Sequence, residues 1–125
     1  MHYSYFFLLI SYLLAFGCKE TIPSPFYSYS VAKFEKIIEQ TDGIVVIDVR
    51  TLEETALGKI ANAIEIDFRA LDFQEKLKKM DLNTPYALYC RSGNRSKKAM
   101  EMMKTIGFTK VYDLEGGYLA WSKEH

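Results

Sequence analysis

Cysteine and histidine are scarce in this 125-residue chain: two of each, Cys18 and Cys90, His2 and His125. No CxxC pair occurs, and histidines at opposite ends cannot complete a zinc site, so neither a metal nor another cofactor is expected. Charge of one sign is also lacking. Lys+Arg and Asp+Glu are both 16, without a block of like charges, which argues against a nucleic-acid-binding surface. There is no internal repeat, no low-complexity tract and no apolar run of the ~20 residues that a membrane-spanning helix needs. What is present is ample for a core, with 49% hydrophobic and 14% aromatic residues. The length suits one domain and not two.

The first quarter reads as an address. "FFLLISYLLAF" (6–16) has the length of a signal-peptide core, and Ala15 and Gly17 place small residues just before Cys18, although "MHYSY" lacks the usual positive start. "LLAFGC" is similar to a bacterial lipobox, with Ala15 where leucine is preferred. The expected organisation is a signal peptide over 1–17, a lipidated Cys18, a proline-containing tether over 18–29 and a folded domain over 30–125. That arrangement would hold an exported protein at the periplasmic face of a membrane through a lipid. Plain cleavage, an uncleaved anchor and a docked apolar helix are the alternatives. Cys18 then lies outside the fold, and no disulfide to Cys90 is expected.

The body alternates helical and strand-like segments. Val31, Phe34, Ile37 and Ile38 share a helical face, with Ser30 as N-cap and Asp42-Gly43 as the stop. "IVVID" (44–48) is a short β-branched run suited to a strand covered on both faces. "LEETAL" is helix-like, and "AIEI" (63–66) reads as a short strand. Ala70, Phe73, Leu77 and Met80 recur at helical spacing; "PYALYC" (85–90) is a buried strand; Ala99, Met102, Met103 and Ile106 form another helical stripe. "TKVYDL" and "YLAWSKEH" complete the series as strand and helix. Such alternation predicts an α/β fold, a central parallel β-sheet flanked by helices in three layers. Ligands bind beyond the carboxyl ends of such strands. Cys90 stands at one.

"YCRSGNRSKK" (89–98) therefore carries the chemistry. A strand ending in cysteine, turning through Gly93 and entering a helix puts the sulfur at a helix N-terminus, where unpaired N–H groups and the positive dipole end favour negative charge. Arg91 and Arg95 add cationic charge. A thiolate is the nucleophilic form of cysteine, and the same groups suit an anionic substrate. A buried cysteine can also be simply a small hydrophobe, but the clustering of Arg91, Gly93, Arg95 and Ser96 favours the nucleophile.

Together, "IDVRTLEETALGKIANAIEID", "CRSGNRS" and "LEGGYLAW" make the chain resemble a single-domain rhodanese over about residues 26–124. Lys59 stands where the family usually has histidine, and Asn62 where it has glycine. The resemblance implies a sulfurtransferase in which Cys90 accepts a sulfane sulfur as a persulfide. The backbone of Arg91, Ser92, Gly93, Asn94, Arg95 and Ser96 would cradle the outer sulfur, and Arg91 and Arg95 would attract thiosulfate or a similar anionic donor. The acceptor would be a thiol, cyanide or a partner protein. Asp48 and Arg50 would support the neighbouring strand end as a salt bridge, Gly116 and Gly117 would permit close backbone approach, and Trp121 would anchor the core. Two other readings stay open: a persulfide-carrying or protein-binding module with little turnover, and a cysteine-dependent phosphatase or arsenate reductase. The latter enzymes use C-x5-R, whereas Ser96 occupies that position here and the arginine arrives one residue early.

Overall fold

Three short apolar strands form the middle of the sheet: β2 (Val45–Asp48), β4 (Tyr86–Tyr89) and β5 (Val111–Leu114). They belong to a computed structural model that describes residues 21–125. The expected signal segment 1–17 and the Cys18 lipidation site lie outside the described residues. β1 (Tyr27–Tyr29) and β3 (Ile64–Glu65) form the edges. All five strands are parallel, in the order β1-β5-β4-β2-β3.

Alternation along each strand divides the core in two. Ile47, Val49, Leu88, Cys90 and Val111 face α3 (Phe73–Lys78) and α4 (Asn94–Ile106), packing on Phe73, Leu77, Ala99 and Met103. Val46, Ala87, Tyr89 and Leu114 face the other way, against Val31 and Phe34 of α1 (Val31–Gln40) and Tyr118 of α5 (Gly117–Glu124). Period-2 side-chain alternation in strands that are buried on both sides requires this division. A short helix, α2 (Leu52–Thr55), follows β2 on the side where the strands end. The parallel sheet between two helical layers is the architecture expected from the alternating segments.

Several local expectations are corrected. The stretch 18–29 is not all tether, because Tyr27–Tyr29 forms β1 and pairs in register with Tyr112–Leu114. Three residues are too few to show a period; what holds them is the open edge of β5, which β1 covers. The packed domain thus begins before residue 30. The helix expected around Ala70, Phe73, Leu77 and Met80 is only Phe73–Lys78. Asp67 Oδ1 accepts from Arg69 N at 2.8 Å, a local turn that competes with helix and leaves Ala70 outside.

On α4 the buried residues are Ser96, Ala99, Met100 and Met103, while Met102 and Ile106 are only half-buried. The true face starts at a polar residue, Ser96, and so escapes an apolar pattern. Trp121 packs against the core as expected but from its margin: half-buried, it also stacks on the His125 ring with centroids 4.0 Å apart. The two departures in the first motif are absorbed locally. Asn62 has φ +64°, a left-handed conformation that asparagine tolerates better than most residues. Lys59 Nζ donates to Ala63 O at 3.2 Å and pairs with Glu65 at 3.0 Å.

Candidate active site

Cys90 follows β4, the central strand, and its side chain is only 1% exposed. The chain turns at once through Gly93, whose φ of +105° is in the left-handed region, and enters α4 at Asn94. That turn folds the start of the helix back over the sulfur. Gly93 N donates to Cys90 Sγ at 3.1 Å, and Ser96 Oγ donates to the same sulfur at 3.4 Å. The first helical bond runs from Lys97 N to Gly93 O. The amides of Asn94, Arg95 and Ser96 are therefore not used by the helix, as at any N-terminus. The site is a buried sulfur within hydrogen-bond reach of two donors, at a helix start whose first amides have no partner within the helix.

The loop is held from behind by α5. Tyr118 N donates to Cys90 O at 2.7 Å, and Leu119 N donates to Arg91 O at 3.0 Å. Such close contact requires a residue without a side chain. A Cβ on Gly117 would lie 2.5 Å from Cys90 O and 2.6 Å from both Arg91 C and Arg91 O. Gly116-Gly117 thus lets one helix start cap the Cys90 loop while the loop opens another.

Arg95 is not available to a donor in the way the sequence suggests. Its guanidinium makes a two-pronged pair with Glu54 of α2, at 2.8 and 2.7 Å, a geometry that is strong and directional. Arg95 therefore positions the loop, and Arg91, exposed to solvent, is the loop arginine left to meet an anion. Glu54 also accepts from Thr51 N at 2.8 Å, while Thr51 Oγ1 caps Glu54 N at 3.4 Å, closing a capping box. With Arg95 foremost, these donors hold the Glu54 carboxyl at about 2, well below its usual 4.5.

The expected Asp48–Arg50 pair is present and buried, with Arg50 Nη2 2.7 Å from Asp48 Oδ2. Tyr89 OH donates to the same oxygen at 2.6 Å and accepts from Ile60 N at 3.0 Å. Burial, together with the Asp48 carboxylate, pushes the Tyr89 phenol above its usual range. Arg50 Nη2 also reaches Gly58 O at 2.7 Å, and its guanidinium lies over the Tyr118 ring at 4.1 Å. This network ties β2, β4 and α5 together behind the site and keeps its charges paired.

Ser92 and Asn94 are exposed on the loop, whereas Gly93 and Ser96 are buried with the sulfur. Cys18 lies outside the described residues. Sequence reasoning missed Glu54, Tyr89, Tyr118 and Asp113. Only Glu54 had a legible signal, the T-x-x-E capping pattern of Thr51–Glu54. No cluster of metal-ligating side chains occurs among the described residues.

Residues 30–124 match the family described as "Rhodanese-like domain". The chain belongs to that family. This rhodanese-like chain is 38% identical over 95 residues to "Putative sulfurtransferase YtwF" of Bacillus subtilis, covering 76% of this chain and 89% of that protein. It is 33% identical to "Thiosulfate sulfurtransferase GlpE" of Ectopseudomonas mendocina, covering 73% and 87% of the two chains. Its match to "tRNA uridine(34) hydroxylase" of Cytophaga hutchinsonii, at 35% identity, covers 71% of this chain but only 30% of that much longer protein. Among solved structures, a rhodanese-related protein from Thermoplasma volcanium aligns with TM-score 0.68 and 34% identity, covering 78% and 92% of the chains.

Proposed function

We propose that Cys90 carries sulfane sulfur as a persulfide from an anionic donor such as thiosulfate to a thiophilic acceptor, cyanide or a thiol. The observation that carries this reading is the Cys90 sulfur itself, accepting hydrogen bonds from Gly93 N at 3.1 Å and Ser96 Oγ at 3.4 Å at the start of α4. Such donors can hold the negative charge of a sulfur nucleophile and of the persulfide that follows. The thiolate attacks the outer sulfur of thiosulfate. A new S–S bond forms to Cys90, the donor S–S bond breaks, and sulfite leaves with the electron pair. The acceptor then takes the outer sulfur and the thiolate returns. The unused amides at the start of α4 and the solvent-exposed Arg91 would offer donors to the charge that the outer sulfur carries. Names of full-length relatives among sulfurtransferases support the same reaction class.

Thiocyanate formation from thiosulfate and cyanide tests the reading, alongside the intact mass of the donor-treated protein. Wild type should turn over and gain one sulfur atom; Cys90→Ser should do neither. Turnover retained by the serine variant would end it. A second reading, a persulfide carrier serving a dedicated partner protein, is favoured by the near-complete burial of Cys90; there the sulfur is gained but not passed to small acceptors.

The proposal extends to an exported lipoprotein form, with 1–17 removed and Cys18 lipidated, supported by the "LLAFGC" pattern alone. Cys18→Ala should release the protein from membranes while leaving Cys90 chemistry intact. Unchanged membrane association would defeat this part.

A further inference from the structure

The first amides of α5 hold the Cys90 loop, through Tyr118 N and Leu119 N. The other end of the same helix is fastened to α1 by His125. The His125 ring lies nearly flat on the Trp121 ring, with centroids 4.0 Å apart and 6° between the planes. Its Nδ1 is 3.1 Å from Trp121 O, and its Nε2 is 3.0 Å from Glu35 Oε1 on α1. Trp121 O is among the last four carbonyls of α5 (Gly117–Glu124), which have no partner within the helix.

These two contacts decide which form of the ring completes the arrangement. A carbonyl oxygen and a carboxylate oxygen only accept, so both ring nitrogens have to donate. Neutral imidazole has one N–H and one lone pair, whereas the imidazolium has two N–H groups. Only the charged ring makes both bonds. Its charge also pairs with the Glu35 carboxylate, suits the C-terminal end of a helix and is attracted to the Trp121 face beneath it. Glu35 of α1 foremost, then the Trp121 carbonyl, keep the ring charged to a higher pH than its usual 6.5, and Glu124 of α5 acts in the same sense. When the proton leaves, one nitrogen turns a lone pair toward an oxygen, and the ion pair is lost with it.

We propose that doubly protonated His125 is a pH-operated clasp that joins α5 to α1 and so braces the helix behind the Cys90 loop. The clasp is fully closed below the usual 6.5 and opens as pH rises through the higher folded value. Its meaning for sulfur transfer rests on Cys90 as the sulfur carrier, but the clasp itself is read without turnover.

Trp121 is the single tryptophan of the chain, and a protonated imidazole stacked on an indole quenches its emission. Tryptophan emission of the full-length protein should therefore rise with pH, with a midpoint above 6.5. His125→Gln should abolish that step, Glu35→Gln should move its midpoint down, and His2→Gln should leave it unchanged. Hydrogen exchange of α5, expressed as protection factors to remove the intrinsic pH dependence, is the second readout. In wild type the Tyr118 and Leu119 amides should be about two- to fivefold better protected at about pH 5.5 than at about pH 8.5, the worth of an exposed ion pair. In His125→Gln they should be equally protected at both. Failure of these readouts would leave sulfur transfer through Cys90 standing, and an inactive Cys90 would leave the clasp standing. An emission step that survives in His125→Gln, disappears in His2→Gln or ignores Glu35→Gln overturns the proposal. So does α5 protection that ignores pH, or that follows it equally with and without His125.

Discussion

Gly117→Ala adds one methyl group at the point where α5 meets the Cys90 loop. The new carbon would lie 2.5 Å from Cys90 O and 2.6 Å from Arg91 C and O, all backbone atoms that cannot rotate away. Gly117 also has φ +59°, a left-handed conformation that costs an alanine about 1–2 kcal/mol. Relieving the overlap adds about 1–3 kcal/mol, the usual range for overpacking. The sum of about 2–5 kcal/mol is a large part of the ~5–15 kcal/mol that holds a domain folded. For a domain of this size each kcal/mol lowers the melting temperature by about 4–8 °C.

Gly43→Ala is the matched control. Gly43 has φ +71°, but an added Cβ there meets nothing within 4 Å, so it should bear the conformational cost alone. The difference between the two melting temperatures, by circular dichroism or calorimetry, isolates the steric contribution. Activity should separate them further. Pushing α5 away moves Cys90 O, to which Tyr118 N donates at 2.7 Å, and a displacement of about 1 Å at a reacting group can cost ~100-fold in rate. Sulfur transfer should fall by that order in Gly117→Ala and be unchanged in Gly43→Ala. Equal destabilisation of the two variants, with full activity in both, would refute the idea that this close approach holds the nucleophile in place.

Acid should loosen the loop support. The folded Glu54 value of about 2 lies below its usual 4.5, so its contribution is complete above about pH 4.5 and is lost as pH falls toward 2, about 2–3 kcal/mol in all; urea unfolding at stepped pH should show that slope in wild type and lose it in Glu54→Gln. Tyr89→Phe removes the hydroxyl that donates to Asp48 Oδ2 and accepts from Ile60 N. It should cost about 1–3 kcal/mol in urea unfolding, with sulfur transfer preserved at temperatures where the variant is folded. Aryl phosphates should not be hydrolysed through Cys90, because Ser96 occupies the position where a C-x5-R loop has its arginine, and Arg95 is paired with Glu54; Cys90-dependent release of phosphate would contradict this.

The sheet was legible because β2, β4 and β5 are covered on both faces and must therefore be continuous apolar runs, which a short window detects. β1 was not, since its Tyr-Ser-Tyr pattern is stabilised by β5 and not by any local preference. The α4 stripe was read one step off for a related reason. Its buried face opens at Ser96, whose hydroxyl lies 3.4 Å from Cys90 Sγ and 3.3 Å from Gly93 O, and a search for apolar spacing passes over it. Cys90 stood out from residue type and order, and the Asp48–Arg50 pair was implied by the rhodanese resemblance. The buried Asp113 could not be found in that way: "VYDL" reads as an ordinary strand, and the Ser28 hydroxyl that bonds its carboxyl comes from β1.

Charge counting misleads in the same loop for a physical reason. Two arginines within six residues of a cysteine look like two units of attraction for an anion. The fold spends one of them on Glu54, whose own position is fixed by the capping box of α2, so the pair adds stiffness and little net field. What remains near the sulfur is directional. Gly93 N and Ser96 Oγ lie within hydrogen-bond distance of it, the first amides of α4 have no partner within the helix, and Arg91 is exposed to solvent. A donor anion would exchange water for such fixed hydrogen bonds as its negative charge passes to the outer sulfur on Cys90. Fixed dipoles at that point need no reorganisation during the transfer, which a second mobile arginine would require. Pairing Arg95 away from the substrate is thus consistent with sulfur transfer, whereas phosphoryl transfer needs an arginine to clamp the equatorial oxygens.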